Sequence, residues 1–143
     1  MIGHVLVGFD GSASARKALR FAHDLAAQTG ARLTALLVLE LPHVLPIGPL
    51  DSYIVTAPQA DPSEMERVRR LLGEAVADLP AAKVDQRVEV GRAAEVLCEQ
   101  ATKLGVDLIV VGARGLGVGG RWLLGSVSDR VVHHADRPVT VVH

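Results

Sequence analysis

VDLIVV at residues 106–111 runs directly into GARGLGVGGRWLLGS at residues 112–126, and the fold is decided at this junction. The first stretch is apolar, largely β-branched and too short for a helix, which predicts a strand buried on both faces. The second is crowded with glycine and ends at Ser126, where a short helix over 126–134 is expected. A last strand, PVTVV at 138–142, follows it. Upstream the same alternation repeats. A helix over 93–104 carries the apolar stripe Ala94, Leu97, Cys98, Ala101 and stops at Gly105. Before it, VDQRVEV at 84–90 alternates apolar and charged residues, as a strand near a sheet edge does.

The N-terminal half gives two more strands and two more helices. HVLVGF at 4–9 is a buried strand that ends at the turn Asp10-Gly11-Ser12. From Ser12 to Gly30 the period becomes helical, with Ala15, Ala18, Leu19, Ala22 and Ala26 on one face. Residues 33–39 form the next strand. Asp61-Pro62-Ser63-Glu64 then opens a helix whose apolar face is Met65, Val68, Leu72, Val76 and Leu79, closed by Pro80. Residues 40–61, with Pro42, Pro46, Gly48, Pro49 and Pro58, read as a long loop of the kind that serves as a lid. Strands alternating with helices imply a parallel sheet with right-handed crossovers, formed by one domain over residues 1–143.

Composition agrees. Of 143 residues, 49% are hydrophobic but only 3% aromatic, which suits Val- and Leu-rich strands under small-faced helices. A chain of this size buries enough surface to fold without a metal or disulfide staple. The net charge of −1 leaves no basic footprint for nucleic acid. The single cysteine, Cys98, excludes an internal disulfide, and its place on a helical stripe reads as a buried structural thiol. No apolar run is long enough to span a membrane, and the N-terminus has no leader pattern, so the expected location is the cytoplasm.

Six glycines fall between residues 112 and 125. They permit close approach of backbone N–H groups to an anion, and the helix beginning at Ser126 adds unpaired donors and a positive dipole end. Three phosphate-loop patterns can be set against this stretch. A Walker A loop fails: Gly120 and Gly125 have its spacing, but Ser126 and Val127 stand where Lys and Ser/Thr are required. Gly115, Gly117 and Gly120 spell a dinucleotide pattern, yet no second mononucleotide half follows to hold a nicotinamide. Gly112, Gly115 and Gly125-Ser126 satisfy a third spacing, Gly-x2-Gly-x9-Gly-Ser.

With that third pattern the chain resembles the universal stress protein family, in its ATP-binding branch. The resemblance extends over VLVGFDGS (5–12), EVGRAAEVL (89–97), DLIVVGARG (107–115) and LLGSVSDRVVHHADRPVTVV (123–142). It implies a doubly wound five-stranded parallel sheet of order 3-2-1-4-5 with four helices, similar to the adenine nucleotide alpha hydrolases. It further implies that Gly112, Gly115, Gly125, Ser126 and Ser128, with Val111 and Val127 beside them, surround the phosphates of ATP or another adenine nucleotide. Gly8 and Asp10 would face the ribose and phosphates, and Val38 the adenine. A carboxylate beside phosphates calls for a bridging Mg²⁺ or a ribose hydroxyl, which makes Asp10 a candidate for indirect metal contact. A homodimer through 138–142 is also implied, and an apolar edge strand there agrees with it.

Plainer roles stand beside these. Asp10 also suits a cap of the first helix, Val38 also suits the core, and Ser126 with Asp129 also reads as a capping box. Arg114 and Arg121 are candidate phosphate clamps, or solvated loop residues. His133 and His134 suit the negative end of the last helix better than a metal site. Trp122 suits packing under the loop or a subunit contact. Three functions follow: a regulatory nucleotide sensor that an unknown protein partner reads, a slow ATP hydrolase, or a nucleotide-free interaction module. The missing Walker lysine, water-orienting residue and paired acids for two metals disfavour efficient ATP hydrolysis, and no Gly-x-Ser-x-Gly elbow is present for a Ser/His/Asp triad.

Overall fold

In the computed structural model the described residues are 1–41, 59–80, 83–114 and 124–143. The elements are β1 (His4–Gly8), α1 (Ala13–Thr29), β2 (Arg32–Leu39), α2 (Pro62–Ala77), β3 (Val84–Val90), α3 (Ala93–Leu104), β4 (Leu108–Gly112), α4 (Ser126–His134) and β5 (Val139–Val142). All four strand pairings are parallel, and the order is β3-β2-β1-β4-β5. The expected five-stranded, doubly wound sheet with four helices is what the described residues form. Most of the proline-rich segment 40–61 lies outside the described residues. No described helix is long and apolar enough to cross a membrane.

Alternation along the strands sorts the core into two layers. Val5, Val7, Leu33, Ala35, Leu37, Leu108 and Val110 point to the face covered by α1 and α2. Leu6, Leu36, Ile109 and Val111 point to the other, covered by α3 and α4. Because a strand's side chains have period two, both faces of β1 and β4 must be apolar, which is why neither strand shows a polar alternation. The helix face read from 12–30 is the buried one: Ala15, Ala18, Leu19, Ala22 and Ala26 pack on the sheet, and His23 joins them. Alanines there let α1 approach the strands closely.

Several boundaries differ from the sequence reading, each for a local reason. The strand expected over 106–111 is Leu108–Gly112, two residues late at its start. Gly105 closes α3 with φ +60, and the Val106 N–H returns 3.1 Å to the Ala101 carbonyl, so Val106 still belongs to the helix cap. β1 ends at Gly8 instead of Phe9, although the Phe9 N–H continues the ladder to the Leu36 carbonyl at 2.9 Å. β5 begins at Val139, after Pro138. α2 ends at Ala77, before Pro80. Cys98 is half-buried where full burial was expected, and burial together with Asp136 pushes its thiol pKa up, away from reactivity.

The N-terminal ends of the strands are tied by polar groups. Asp107 accepts from the N–H groups of Gly3 (2.8 Å) and His4 (3.0 Å), which holds its carboxyl below the usual range. His4 is 5% exposed, with Nε2 2.9 Å from Thr34 Oγ1 and Nδ1 3.4 Å from the Arg32 guanidinium. A guanidinium only donates, so Nδ1 accepts, Nε2–H donates to Thr34, and the ring is neutral. Burial, then Arg32, lower its pKa from 6.5, against the opposite pull of the Leu104 carbonyl, Asp107 and Asp85. A histidine held neutral contributes stability that is full above its unfolded-state pKa and is lost as pH falls through that value toward the folded one. The urea midpoint should therefore drop on going from about pH 7.5 to about pH 5, and His4→Gln should flatten that drop. Equal slopes for the two proteins would exclude His4 as the source.

Candidate functional site

The direction of winding reverses between β1 and β4. From β1 the chain moves outward to β2 and β3, and then α3 carries it back to β4 on the other side. In such sheets the carboxyl ends of the strands leave a crevice at the reversal. Here a cleft opens there, and Gly8, Phe9 and Asp10 from β1 and its turn, Leu36 and Val38 from β2, and Val111 and Gly112 from β4 line it. Ala15, Ala93, Leu97, Arg114 and Val127 complete the lining. Leu36, Val38, Ala93, Leu97, Val111 and Val127 make an apolar slot. Asp10, Arg114 and the start of α4 supply its polar end.

Gly112 is fixed by close packing. A Cβ placed there would lie 2.6 Å from Ser14 Oγ, 2.7 Å from the Ser14 carbonyl carbon and 2.8 Å from the Ala15 nitrogen. The first turn of α1 thus rests directly on the end of β4. Ser14 Oγ donates to the Arg114 carbonyl and accepts from the Arg114 N–H at 3.2 Å. Ser12 Oγ also lies 3.2 Å from that carbonyl while accepting from the Ala15 N–H at 3.2 Å, which makes Ser12 the cap of α1. The backbone of Arg114, the last described residue before the glycine loop, is therefore held by two serines about a hundred positions away.

Asp10 is not the helix cap. Its Oδ1 accepts from the Ser12 N–H at 2.9 Å, a turn one step before the cap, and the carboxylate remains exposed at the cleft. The capping box read at Ser126 is also corrected. Gly125 is the N-cap of α4, without a side-chain cap, and Ser126 is the first helical residue. Gly125 is pinned on both sides: its N–H bonds the Ala113 carbonyl at 2.6 Å, and its own carbonyl accepts from the Asp129 N–H at 2.9 Å. Ser128 is buried, with Oγ 3.0 Å from the carbonyls of both Ala113 and Gly125. It braces the start of α4 against the end of β4. The backbone N–H groups of Ser126, Val127 and Ser128 form the first turn, the part of a helix whose donors have no intrahelical partner.

Of the residues expected at a site, Gly8, Asp10, Val38, Val111, Gly112 and Val127 line one cleft, and Gly125, Ser126 and Ser128 stand at the helix start beside it. Gly115, Arg121 and Trp122 lie outside the described residues. Arg114 lines the cleft. His133 is at the end of α4, its Nδ1 2.8 Å from the Asp129 carbonyl. The sequence reading missed Leu36, Ala93 and Leu97 as walls, since each also fits an ordinary core pattern. It also missed Ser12 and Ser14, whose partner is remote in sequence. Among the described residues no group of three or more His, Cys, Asp or Glu could hold a metal ion.

Fold and cleft together define a class: a doubly wound parallel α/β domain with a crevice at its switch point. The profile of the universal stress protein family matches residues 1–143. A universal stress protein of Mycolicibacterium smegmatis is 38% identical over 143 residues, covering 96% of this chain and 45% of that protein, so the chain spans less than half of that relative. One from Thermus aquaticus is 33% identical over 144 residues, covering 99% of each. A crystal structure of a universal stress protein in complex with cAMP superposes with a TM-score of 0.73 at 27% identity, covering 99% of this chain and 97% of that one. The chain belongs to the universal stress protein family.

The Gly112 contact gives a direct test of how the cleft is built. Two of the three atoms that a methyl group would strike are backbone, so they cannot swing aside. Gly112→Ala should cost about 1–3 kcal/mol of stability by overpacking. Chemical denaturation checks this, and an unchanged midpoint would mean that α1 does not rest on β4 as described.

Proposed function

We propose that this chain is a regulatory, stress-related protein of the cytoplasm that binds an adenine nucleotide, ATP with Mg²⁺ foremost, in the cleft between β1 and β4. The observation that carries the reading is the pairing of an apolar slot with a helix start that has free donors. Leu36, Val38, Leu97 and Val111 offer a planar base a dry floor. The N–H groups of residues 126–128 offer its phosphates donors and a positive dipole end. The cAMP bound by the related structure is a nucleotide of the same base.

The residues present fit the group. The first turn of α4 offers backbone donors beside an apolar slot wide enough to be lined by four elements, and Asp10 lies at the polar end of the slot. Near a polyphosphate that carboxylate is tolerable when Mg²⁺ or a ribose hydroxyl stands between, so Asp10 would hold the ion through water or phosphate. Bound ATP would supply charge and shape for a partner to read. We assign no catalytic residue, because the described lining holds one carboxylate, Asp10, and no histidine, cysteine or second acid beside it to share proton transfer. Phosphate release above background would favour the hydrolase reading instead.

The test is calorimetry and thermal shift with ATP, ADP, AMP and cyclic AMP, with and without Mg²⁺, on protein freed of carried-over ligand. Saturation at about a hundredfold over Kd should add roughly 2.7 kcal/mol. Ser126→Glu places a carboxylate in the first turn of α4, where it suits the helix dipole but repels phosphate. It should leave the unliganded melting point unchanged and weaken ATP at least about tenfold, equivalent to 1.4 kcal/mol. Retained affinity would remove the start of α4 from the site.

We also propose a homodimer through β5. Ile109 N–H bonds the Pro138 carbonyl and Ala113 N–H bonds that of Val142. By the alternation of a parallel ladder, Val139 and Val141 turn their backbone groups away from β4. The opposite edge, β3, carries Asp85, Arg87 and Glu89, charges that discourage strand addition, whereas β5 carries none. Val141→Pro removes an outward N–H and should yield a monomer in sedimentation. A persistent dimer would place the interface elsewhere.

A further inference from the structure

The base end of the cleft is held together by a contact that neither lines the slot nor belongs to one element. Val38, near the end of β2, and Ala93, the first residue of α3, are two of its walls. Between them stands Glu40, one residue beyond β2. Its Oε1 accepts from the Ala93 N–H at 2.8 Å, across 53 positions of sequence. α3 has no cap from its own N-cap residue: Arg92 makes no side-chain cap bond and pairs with Glu95 at 3.2 Å. The helix therefore takes its N-terminal acceptor from another strand. The β2–β3 ladder runs up to this junction, pairing Val38 with Glu89 and Leu39 with Val90, and the Gly91 N–H continues it to the Leu39 carbonyl at 3.1 Å; beyond that bond, Glu40 reaches the helix itself.

We infer that Glu40 is a positioning residue for base recognition, setting the spacing between Val38 and Ala93. The inference rests on the nucleotide reading of the cleft. A carboxylate at a helix start satisfies a donor and complements the positive dipole end, and here the same bond fastens the first turn of α3 to the strand that forms the opposite wall. The rest of α3 does not need it. Ala94, Leu97 and Ala101 are buried against the sheet, so loss of the bond loosens the first turn while the helix stays docked. A slot for a flat purine depends on its width. The phosphates, at the start of α4, do not depend on Glu40.

Charge alone predicts the opposite sign. Removing a carboxylate near a polyanion strengthens every nucleotide equally, whereas loss of positioning weakens the ligand whose base fills the slot. The experiment measures affinities of ATP and CTP for the full chain, wild type and Glu40→Ala, by calorimetry, and amide exchange at Ala93 without ligand. The expected result is a wild-type preference for ATP, reduced about fivefold to tenfold in Glu40→Ala with CTP little changed. Exchange at Ala93 should be faster in the variant, and Glu40→Gln, which keeps an acceptor, should recover most of the preference. An unchanged ATP:CTP ratio, equal losses for both nucleotides, or tighter binding of both would overturn the inference while leaving the nucleotide reading in place. A wild-type protein that binds neither nucleotide would overturn both, and is told apart by the wild-type titration alone.

Discussion

The first turn of α1 rests on the last residue of β4 with no room for a side chain between them, and the rest of the site depends on that contact. Ser14 and Ala15 occupy the space a Cβ at Gly112 would need, so the glycine is a condition of the packing. From the contact the neighbouring geometry follows. Ser14 reaches both backbone groups of Arg114, Ser12 reaches its carbonyl while capping α1, and the chain leaves β4 in a fixed direction. Ser128 and Gly125 then tie the start of α4 to Ala113, so the two helix starts flanking β4 are held by adjacent residues. The crevice at the switch point is the space these constraints leave over the ends of β1 and β4.

The elements were legible because the signals that specify them are local. A helical stripe of alanines marks α1, Asp61-Pro62 marks the start of α2, and continuous apolar runs mark β1 and β4. The strand order needed more, since periodicity says that a strand is buried but not which strands adjoin it; it came from the family resemblance. Boundaries were misread where a helix cap and a strand compete for the same residues. Val106 is fully buried and β-branched, as a strand residue should be, yet its N–H completes the cap of α3. Ser126 has the composition of an N-cap, but Gly125 takes that position because Ala113 and Asp129 fix its backbone.

The candidate site was legible as far as its glycines and its acid, and illegible where it depends on distant partners. Gly8, Asp10 and Gly112 stand out because glycine and aspartate at strand ends are informative residue types. Glu40, Ser12 and Ser14 are ordinary in composition. What makes them matter is a partner fifty or a hundred positions away, and spacing within the chain carries no record of that. Leu36, Ala93 and Leu97 were hidden differently. The slot is lined with the same kinds of residue as the core beneath it, so hydrophobicity alone does not separate a wall from a filler.

The described polar groups of the cleft are backbone donors at a helix start, the Asp10 carboxylate, which also accepts in a turn, and the Arg114 side chain. On the proposed reading of its ligand, what a bound nucleotide gains from them is leverage on structure. It would touch β1, β2, β4 and the first turn of α4 at once, and α4 packs on β5, the sheet edge without charges. A ligand shifts a conformational equilibrium only by its differential affinity for the two states. A site whose walls come from β2, β4 and the starts of α3 and α4 is where such a difference arises, because a shift of either helix start against the sheet changes its width.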